Sequence, residues 1–553
     1  MATENFVLKT CYMESFDGEK LYTEVYLPNE NGTFPVICIR DPYVQKPTGT
    51  EQERKDLFAA QAGRLGKGFA VVHQHCRGYG GSGGRTQPFI YERRDGLVLL
   101  DWIQKQPFFD GSIYLEGGSY TAFVHLCCLD ELPSCVKAAS LAIFSSHAHS
   151  FAYLNGEYKM RLGPLWFPMV MHGETPVLNV DNCADPKSVN AFYKKITYEY
   201  PFYEYAERMY GHDVPCYTEW LFMNNDDDEM ATRPNGIGDT YGVMKRAKIP
   251  ILLRGGYFDP FYNGMVPMWD ELPEETRKKS AFLVGPWTHS MTLTNVEKCP
   301  FIQEEGERVL DHAGDFFLHV RDGKPFPHGG IGKVNAYVMN EGKWEDHDGF
   351  YDVKTRPRRL YPASDSLLSF EKPEDGEITY RYNPYDPPFF KGGPNAFFTE
   401  SDGAALQEGM NFRPDVKSFM TEPLKEDMQI RGSTKVHFAV KSDCEDTAFL
   451  ARISLVSENG EAWVLQETIS PLSRAAGTYQ PDSLVRFDLD IEPMFWTAKA
   501  GQRIRVDIAS ANAFSYWPHS NTWGHWAVQS HPKVAMNTIV LGETYLELPE
   551  ISK

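Results

Sequence analysis

The sequence predicts an α/β fold with a mostly parallel sheet, followed by a β-sandwich in the C-terminal part. Three observations carry this prediction. In the first third of the chain, short apolar runs alternate with segments of helical period, the pattern of a sheet covered by helices on both faces. Between about residues 146 and 245 strand signals are weak, which indicates a helical insertion. From about residue 346 helical signals largely disappear and β-like segments follow one another.

The strands expected in the sheet are short apolar runs on either side of the insertion. They are 22–27, 35–39, 69–73, 113–115 and 136–143, then 249–256 and 280–285. Residues 95–104 have helical period, and the glycine-rich residues 76–84 are expected to form a loop. The strands of the sandwich are expected at 434–440, 449–456, 461–467, 485–491 and 503–508, with a hairpin turn at 457–460.

Composition and charge narrow the classes of function. The chain has 553 residues, more than one hydrophobic core can organise. Its net charge of −20 argues against nucleic-acid binding and against docking on an anionic membrane. Residues 1–10 lack the pattern of a signal peptide, and no segment is apolar for long enough to span a membrane. The ten scattered cysteines include no CxxC pair, which indicates reduced thiols in a cytoplasmic protein and no zinc site.

A candidate nucleophile stands at a predicted sharp turn between a strand and a helix. Gly117 and Gly118 precede Ser119, and a helical stretch follows it. The glycines let the backbone turn tightly and lift the serine hydroxyl above the end of the sheet, beside backbone N–H groups at the helix start. The alternative is an ordinary glycine-rich turn with a capping serine, because Thr121 stands where a second glycine normally follows a nucleophilic serine.

Two later strand ends supply the partners that a nucleophilic serine needs. Asp259 follows the strand at 251–253, and His289 follows the strand at 281–284. Serine, acid and histidine in this chain order are typical of an α/β-hydrolase, in which the histidine takes the serine proton and the acid orients the histidine. Taken singly, Asp259 is as well explained as a helix cap and His289 as a structural histidine. Together with Ser119 they favour a catalytic triad.

Motifs along nearly the whole chain resemble a group of serine hydrolases, the cocaine esterase, X-Pro dipeptidyl-peptidase and α-amino-acid ester hydrolase family. In the first part of the chain the matching motifs are 17–18 (DG), 40–43 (RDPY), 77–82 (RGYGGS), 118–120 (GSY), 256–259 (GYFD) and 285–289 (GPWTH). In the C-terminal part they are 386–387 (DP), 413–416 (RPDV) and 500–505 (AGQRIR).

This resemblance implies an α/β-hydrolase core at 1–145 and 246–345, an inserted helical cap at 146–245 and a C-terminal jelly-roll β-sandwich at 346–553. It implies cleavage of a small ester, amide or short peptide through an acyl-enzyme on Ser119, without a metal or an organic cofactor. It also implies an oxyanion hole made by the Tyr43 hydroxyl and the Tyr120 backbone N–H. X-Pro dipeptidyl-peptidase activity and a catalytically silent jelly-roll binding protein are the alternatives. Assembly into a homo-oligomer is left open.

Phe261, Asp227 and Asp228 are candidates for contacts with the substrate. The aspartates lie in an acidic run of the expected cap, in a segment resembling one where amino-ester hydrolases keep an acidic residue near the substrate. Such a carboxylate would bind a free α-ammonium group, whereas the ordinary interpretation is a solvated acidic turn. Glu116 replaces an aromatic residue usual in the family. We expect it in a local salt bridge or hydrogen bond, with a role in substrate binding as the alternative.

Overall fold

The first part of the chain builds one large mixed sheet, and the C-terminal part builds two antiparallel sheets. The computed structural model describes residues 6–43, 51–160, 162–170, 191, 193–198, 200–204, 215–291, 298–303, 311–394, 402–513 and 515–552. The first twelve strands are β1 (Val7–Glu14), β2 (Lys20–Leu27), β3 (Phe34–Asp41), β4 (Ala70–His75), β5 (Phe109–Gly118), β6 (Val136–Ala142), β7 (Tyr153–Leu154), β8 (Glu157–Tyr158), β9 (Ile251–Gly256), β10 (Ala281–Gly285), β11 (Lys333–Val338) and β12 (Lys343–His347). Strands β7 and β8 form a small hairpin, and the other ten form the large sheet.

The large sheet has the strand order β1-β2-β4-β3-β5-β6-β9-β10-β11-β12. Neighbouring strands run parallel from β4 to β11, whereas β1, β2 and β12 are attached antiparallel. The predicted mostly parallel sheet is therefore confirmed. Because parallel strands end at the same edge, the segments that follow β3, β5, β9 and β10 meet at one edge of the sheet.

Helices accompany this sheet, and four short helices lie in the described part of the inserted segment. They are α1 (Glu51–Gly66), α2 (Glu92–Gln104), α3 (Tyr120–Leu126), α4 (Ala148–Ala152), α5 (Gly163–Val170), α6 (Pro215–Phe222), α7 (Glu229–Thr232), α8 (Tyr262–Glu271), α9 (Glu274–Arg277) and α10 (His312–Asp322). Helix α2 starts three residues before the predicted 95–104, since Glu92 and Asp95 both favour its first turn. In the part of the chain that the structure describes, no helix combines the length and apolar character needed to cross a membrane.

The C-terminal part contains the predicted β-sandwich. Its elements are β13 (Thr355–Pro362), β14 (Leu368–Ser369), β15 (Gly376–Tyr382), β16 (Lys417–Met420), β17 (Met428–Ser442), β18 (Ala448–Val456), β19 (Ala462–Pro471), α11 (Leu472–Ala476), β20 (Val485–Ala498), β21 (Arg503–Ala509), β22 (Ala535–Leu541) and β23 (Tyr545–Ile551). One sheet has the order β14-β13-β23-β17-β22-β15 with β20 beside β17, and the other has the order β16-β21-β18-β19. Phe438 of the first sheet meets Phe449 of the second with ring centroids 5.9 Å apart, so the two sheets share an apolar core.

The sandwich is joined to the end of β11 by backbone and charged contacts. The Met339 N–H donates to the Phe495 carbonyl oxygen at 2.9 Å, and the Thr497 N–H donates back to Met339 at 3.2 Å. Beside them, the buried Arg431 side chain pairs with Glu345 at 2.8 Å. The division of the chain into a core, a cap and a sandwich at residues 146, 246 and 346 stays a prediction.

Candidate active site

Ser119 occupies the sharp turn between β5 and α3. Its φ of 56° lies in the left-handed region that residues with side chains avoid. Gly117 is required by close packing, because a Cβ atom there would lie 2.0 Å from the Thr121 carbonyl oxygen. The Ser119 N–H is held by the Ala142 carbonyl oxygen at 2.9 Å. The surrounding backbone thus holds one strained residue at the end of the strand, with its hydroxyl beyond the sheet edge.

Ser119, His289 and Asp259 are linked by two hydrogen bonds. The Ser119 Oγ and His289 Nε2 atoms are 2.9 Å apart, and the His289 Nδ1 and Asp259 Oδ2 atoms are 2.8 Å apart. Because an ionised carboxylate only accepts, the proton of the neutral ring lies on Nδ1, and Nε2 accepts from the serine hydroxyl. The structure therefore brings together the three residues of the triad predicted from the sequence.

The loops after β9 and β10 are packed directly on one another. A Cβ atom on Gly256 would lie 2.1 Å from the Trp287 carbonyl oxygen, so only glycine fits at this position. The Phe258 N–H donates to the same carbonyl oxygen at 3.1 Å. The buried Asp259 carboxylate accepts a second hydrogen bond, from the Phe261 N–H to Oδ1 at 2.7 Å. These contacts fix the acid relative to the loop that carries His289.

The loop that carries Asp259 also rests on β11 of the large sheet and on β20 of the sandwich. The Tyr257 hydroxyl donates to the Tyr337 carbonyl oxygen at 2.8 Å. The Tyr262 hydroxyl donates to the Pro493 carbonyl oxygen of β20 at 2.6 Å. Two tyrosines that flank Asp259 therefore anchor it on both sides, and neither was selected from the sequence.

Lys159 is a further residue at this site that sequence reasoning missed. Its buried ammonium group donates to the Ser150 carbonyl oxygen at 2.7 Å, to the Pro260 carbonyl oxygen at 2.6 Å and to Asn263 Oδ1 at 2.9 Å. Burial lowers the pKa of Lys159, although the negative charge of Glu492 acts in the opposite direction. Lys159 therefore ties the inserted segment to the residue that follows the candidate acid.

Tyr43 lies beside the candidate nucleophile. Burial raises the pKa of its phenol. Hydrogen bonds to the phenol from the Ser119 side chain and the Tyr120 backbone N–H act in the opposite direction. The Trp166 Nε1–H donates to the Tyr43 oxygen at 3.3 Å. The phenol is therefore protonated at neutral pH and can act as a hydrogen-bond donor in the site.

The side chain of Tyr120 is held by two hydrogen bonds. Its hydroxyl donates to the buried Glu92 carboxylate and accepts from the Phe89 N–H at 2.9 Å. This anchoring holds the first residue of α3, whose backbone N–H is the second expected oxyanion donor.

An aromatic wall borders the site. We use this name for Phe89, Phe144, Phe151, Trp166, Trp220 and Phe261. Phe261, the residue selected from the sequence, lies with its ring centroid 5.4 Å from that of His289. Trp166 stacks on Trp220 with centroids 6.1 Å apart and an interplanar angle of 3°. The only signal for the other members of the wall was the high aromatic content of the chain, 14%.

The acidic run is engaged by groups of the inserted segment. The exposed Asp227 carboxylate accepts from the Tyr241 hydroxyl at 2.7 Å. Asp228 caps α7 by accepting from the Met230 N–H at 3.1 Å. The substrate role of the two aspartates stays a prediction.

Glu116 lies in the expected local salt bridge. Both of its carboxylate oxygens accept from the Arg64 guanidinium group, at 2.8 and 2.5 Å.

Two family models match consecutive parts of the chain. The model described as X-Pro dipeptidyl-peptidase (S15 family) matches residues 17–291, which contain Ser119, Asp259 and His289. The model of the X-Pro dipeptidyl-peptidase C-terminal non-catalytic domain matches residues 331–547. Cocaine esterase of Rhodococcus sp. (strain MB1 Bresler) is 23% identical over 540 residues, which cover 92% of this chain and 91% of the esterase.

Solved structures share the fold over 99% of this chain. An aminopeptidase from a marine sediment Thaumarchaeota archaeon has a TM-score of 0.80 at 17% identity, over 97% of its chain. An α-amino-acid ester hydrolase has a TM-score of 0.77 at 18% identity, over 97% of its chain. A CocE/NonD family hydrolase from Staphylococcus aureus has a TM-score of 0.65 at 15% identity, over 94% of its chain. At these identities the likeness establishes the fold.

Proposed function

The chain belongs to the X-Pro dipeptidyl-peptidase (S15) and cocaine esterase family of serine hydrolases, and from this premise we propose that it works through an acyl-enzyme on Ser119. The family acts on esters or X-Pro peptides. The assignment of residues rests on two hydrogen bonds. One joins Ser119 to His289 at 2.9 Å, and the other joins His289 to Asp259 at 2.8 Å.

In the first half of the reaction, Ser119 Oγ attacks the carbonyl carbon of the substrate and its proton moves to His289 Nε2. A bond forms between Oγ and the carbonyl carbon, and the electron pair of the carbonyl double bond moves to the oxygen. Asp259 accepts the hydrogen bond from Nδ1 and stabilises the imidazolium ion. When the carbonyl re-forms, the bond to the leaving group breaks, and His289 returns the proton to the departing alcohol or amine.

In the second half of the reaction, water takes the place of the serine hydroxyl. His289 removes a proton from the water as its oxygen attacks the acyl carbon. Collapse of this second tetrahedral intermediate breaks the bond to Ser119 Oγ, and the proton passes to the serine. The products are a carboxylic acid and the regenerated enzyme, so these steps need neither a metal nor an organic cofactor.

The negative charge that forms on the substrate oxygen is held by two donors, the Tyr43 hydroxyl and the Tyr120 backbone N–H. The raised pKa of Tyr43 supports this role, because the phenol keeps its proton at neutral pH. The hydrogen bond from Trp166 to the Tyr43 oxygen supports it further, since a phenol that accepts one hydrogen bond donates its own more strongly.

The aromatic wall favours a small apolar or aromatic acyl group. Phe261 places its ring beside His289, near where an acyl chain would lie during attack. The second candidate substrate is an X-Pro peptide, and the family model over residues 17–291 supports it. The proposed location is the cytoplasm, which agrees with the eight free cysteines in the described part of the chain.

A fluorophosphonate probe tests the nucleophile, and a panel of chromogenic substrates tests the substrate class. We expect the probe to label the wild type and Ser290→Ala, a control at an exposed serine next to His289, but not Ser119→Ala. Labelling of a folded Ser119→Ala protein would assign the nucleophile elsewhere. No labelling of the wild type and no turnover of acyl esters, amino-acid esters or X-Pro amides would favour the silent binding protein.

A further inference from the structure

Glu24, His73 and His75 form a buried cluster on one face of the large sheet. The two histidines are two residues apart on β4, so their side chains leave the same face of the strand. Glu24 on β2 stands directly opposite His73 in the antiparallel register. One ligand-type atom from each residue lies within 4.8 Å of the other two. None of the three residues is more than 7% exposed.

The ring of His75 is held in one tautomer. Its Nδ1 atom lies 2.8 Å from the Gly80 carbonyl oxygen, which can only accept, so Nδ1 carries the proton and Nε2 carries the lone pair. Gly80 packs so closely that a Cβ atom on it would lie 2.0 Å from this nitrogen. A ring N–H bonded to a backbone carbonyl is the usual way in which a protein orients a histidine whose other nitrogen binds a metal.

His73 lies between two carboxylates, with a long hydrogen bond to Asp41 on one side and the Glu24 carboxylate on the other. Its Nε2 is 3.4 Å from Asp41 Oδ2, and its Nδ1 is 3.4 Å from Glu24 Oε2. The buried Nδ1 atom has no hydrogen-bond partner of acceptable geometry. A distance of 3.4 Å is long for a hydrogen bond. It is, however, about the separation of two ligand atoms around a tetrahedral zinc ion with bonds of about 2.0–2.1 Å.

The charge of the cluster also favours a cation. Glu24 is completely buried, and burial of a carboxylate is costly unless positive charge compensates it. Asp41 adds a second carboxylate on the other side of His73. The Tyr26 hydroxyl donates to Glu24 Oε2 at 2.7 Å and fixes the orientation of that carboxylate. A divalent cation bound to Glu24 and the two imidazoles would displace the proton that His73 otherwise holds between the two carboxylates, and would balance both negative charges.

We propose that Glu24, His73 and His75 bind one divalent transition-metal ion, with zinc as the best match. Two imidazoles and one carboxylate form a ligand set typical of zinc, whereas calcium and magnesium prefer oxygen ligands. The ion joins β2 to β4. Through His73 it also reaches Asp41, whose Oδ1 accepts from the Tyr43 N–H at 2.7 Å. It is therefore a structural ion that braces the segment leading to Tyr43, and the proposed hydrolysis does not use it.

Calorimetric titration of metal-stripped protein with zinc sulfate tests the site. We expect one equivalent to bind to the wild type, and binding at least tenfold weaker in His73→Gln and in His75→Gln. The matched control is His437→Gln. His437 likewise lies between two carboxylates, 2.7 Å from Asp488 and 3.6 Å from Glu547, but belongs to no such cluster in the described part of the chain. Zinc should also raise the melting temperature of the wild type and of the control.

X-ray absorption of the zinc-loaded wild type identifies the ligands without any substitution. We expect nitrogen and oxygen ligands with the scattering pattern of two imidazoles and no sulfur. Three results would each overturn the site: sulfur ligands, no stoichiometric binding, or equal affinity in the wild type and both histidine variants. His73 would then be a protonated bridge between two carboxylates. Hydrolysis of a chromogenic ester, followed in parallel, reports separately on Ser119, so failure of either proposal is distinguishable from failure of the other.

Discussion

The Nζ atom of Lys159 lies 2.6 Å from the carbonyl oxygen of Pro260, and this hydrogen bond ties the inserted segment to the residue after Asp259. We expect Lys159→Met to lower kcat by about tenfold or more with little change in KM, because small displacements of a catalytic group are costly in rate. Steady-state kinetics on a chromogenic ester measures this, with the exposed Lys137→Met as the control. An unchanged kcat in a folded Lys159→Met protein would reduce this contact to ordinary packing.

Tyr43→Phe should lower kcat by about a hundredfold or more, with a modest change in KM. Its hydroxyl acts on charge that develops in the transition state, and one oxyanion donor contributes about 2.7–4 kcal/mol. Steady-state kinetics on the same ester separates the two parameters. A change confined to KM would make Tyr43 a wall of the pocket instead.

The ion pairs of His147 should make the free energy of unfolding depend on pH. Burial alone would lower its pKa, but Asp226 at 3.3 Å and Glu271 at 3.5 Å outweigh burial and raise the pKa to about 9. The folded state therefore holds this proton more tightly than the unfolded state does. The resulting stabilisation, up to about 3 kcal/mol, is complete below pH 6.5 and is lost as the pH rises through 9.

Denaturant unfolding of the wild type and of His147→Gln between pH 6 and 10 measures this contribution. The gap between their free energies of unfolding should narrow as the pH rises, whereas His531→Gln, a change at an exposed histidine, should follow the wild type. A gap that stays constant with pH would mean that His147 is not an ion-pair partner.

The parts of the site that follow from local patterns could be predicted from the sequence. Ser119 and His289 each stand at the end of an apolar run with glycine nearby, so a strand end and its loop are visible in a few consecutive residues. Lys159 has no such signal, because its partner Asn263 lies 104 residues further along the chain. The cluster around His73 also has no local signal in the sequence. The strand register that sets Glu24 opposite His73 arises from packing of the whole sheet.

A chain truncated near residue 345 should be insoluble or unstable. The sandwich covers the end of β11 through Met339, and the cut would remove Arg431 from Glu345 and β20 from Tyr262. Soluble yield, circular dichroism and ester hydrolysis of the 1–345 fragment check this expectation. A soluble and fully active fragment would show that the sandwich is an appendage.

A free α-amine on the substrate should be preferred if the acidic run faces the pocket. We expect Asp227→Asn or Asp228→Asn to reduce the ratio of kcat/KM for free and N-acetylated aminoacyl esters by about 1–2 kcal/mol. Asparagine keeps the cap of α7, so the fold is preserved. Glu229→Gln, an exposed neighbour in the same run, is the control. Equal hydrolysis of both esters, or an unaltered ratio in both variants, would leave the acidic run as solvated surface.

The anchoring of Tyr262 by Pro493 has a consequence for the timing of synthesis. The two residues are 231 positions apart, so the ribosome adds the second anchor roughly 10–50 s after the first at ordinary elongation rates. Once His289 has been added, early in that interval, a nascent chain contains Ser119, Asp259 and His289 but cannot yet seat the loop that carries the acid. Hydrolytic activity should therefore emerge only when translation is nearly finished, and messages that end early should yield inert chains.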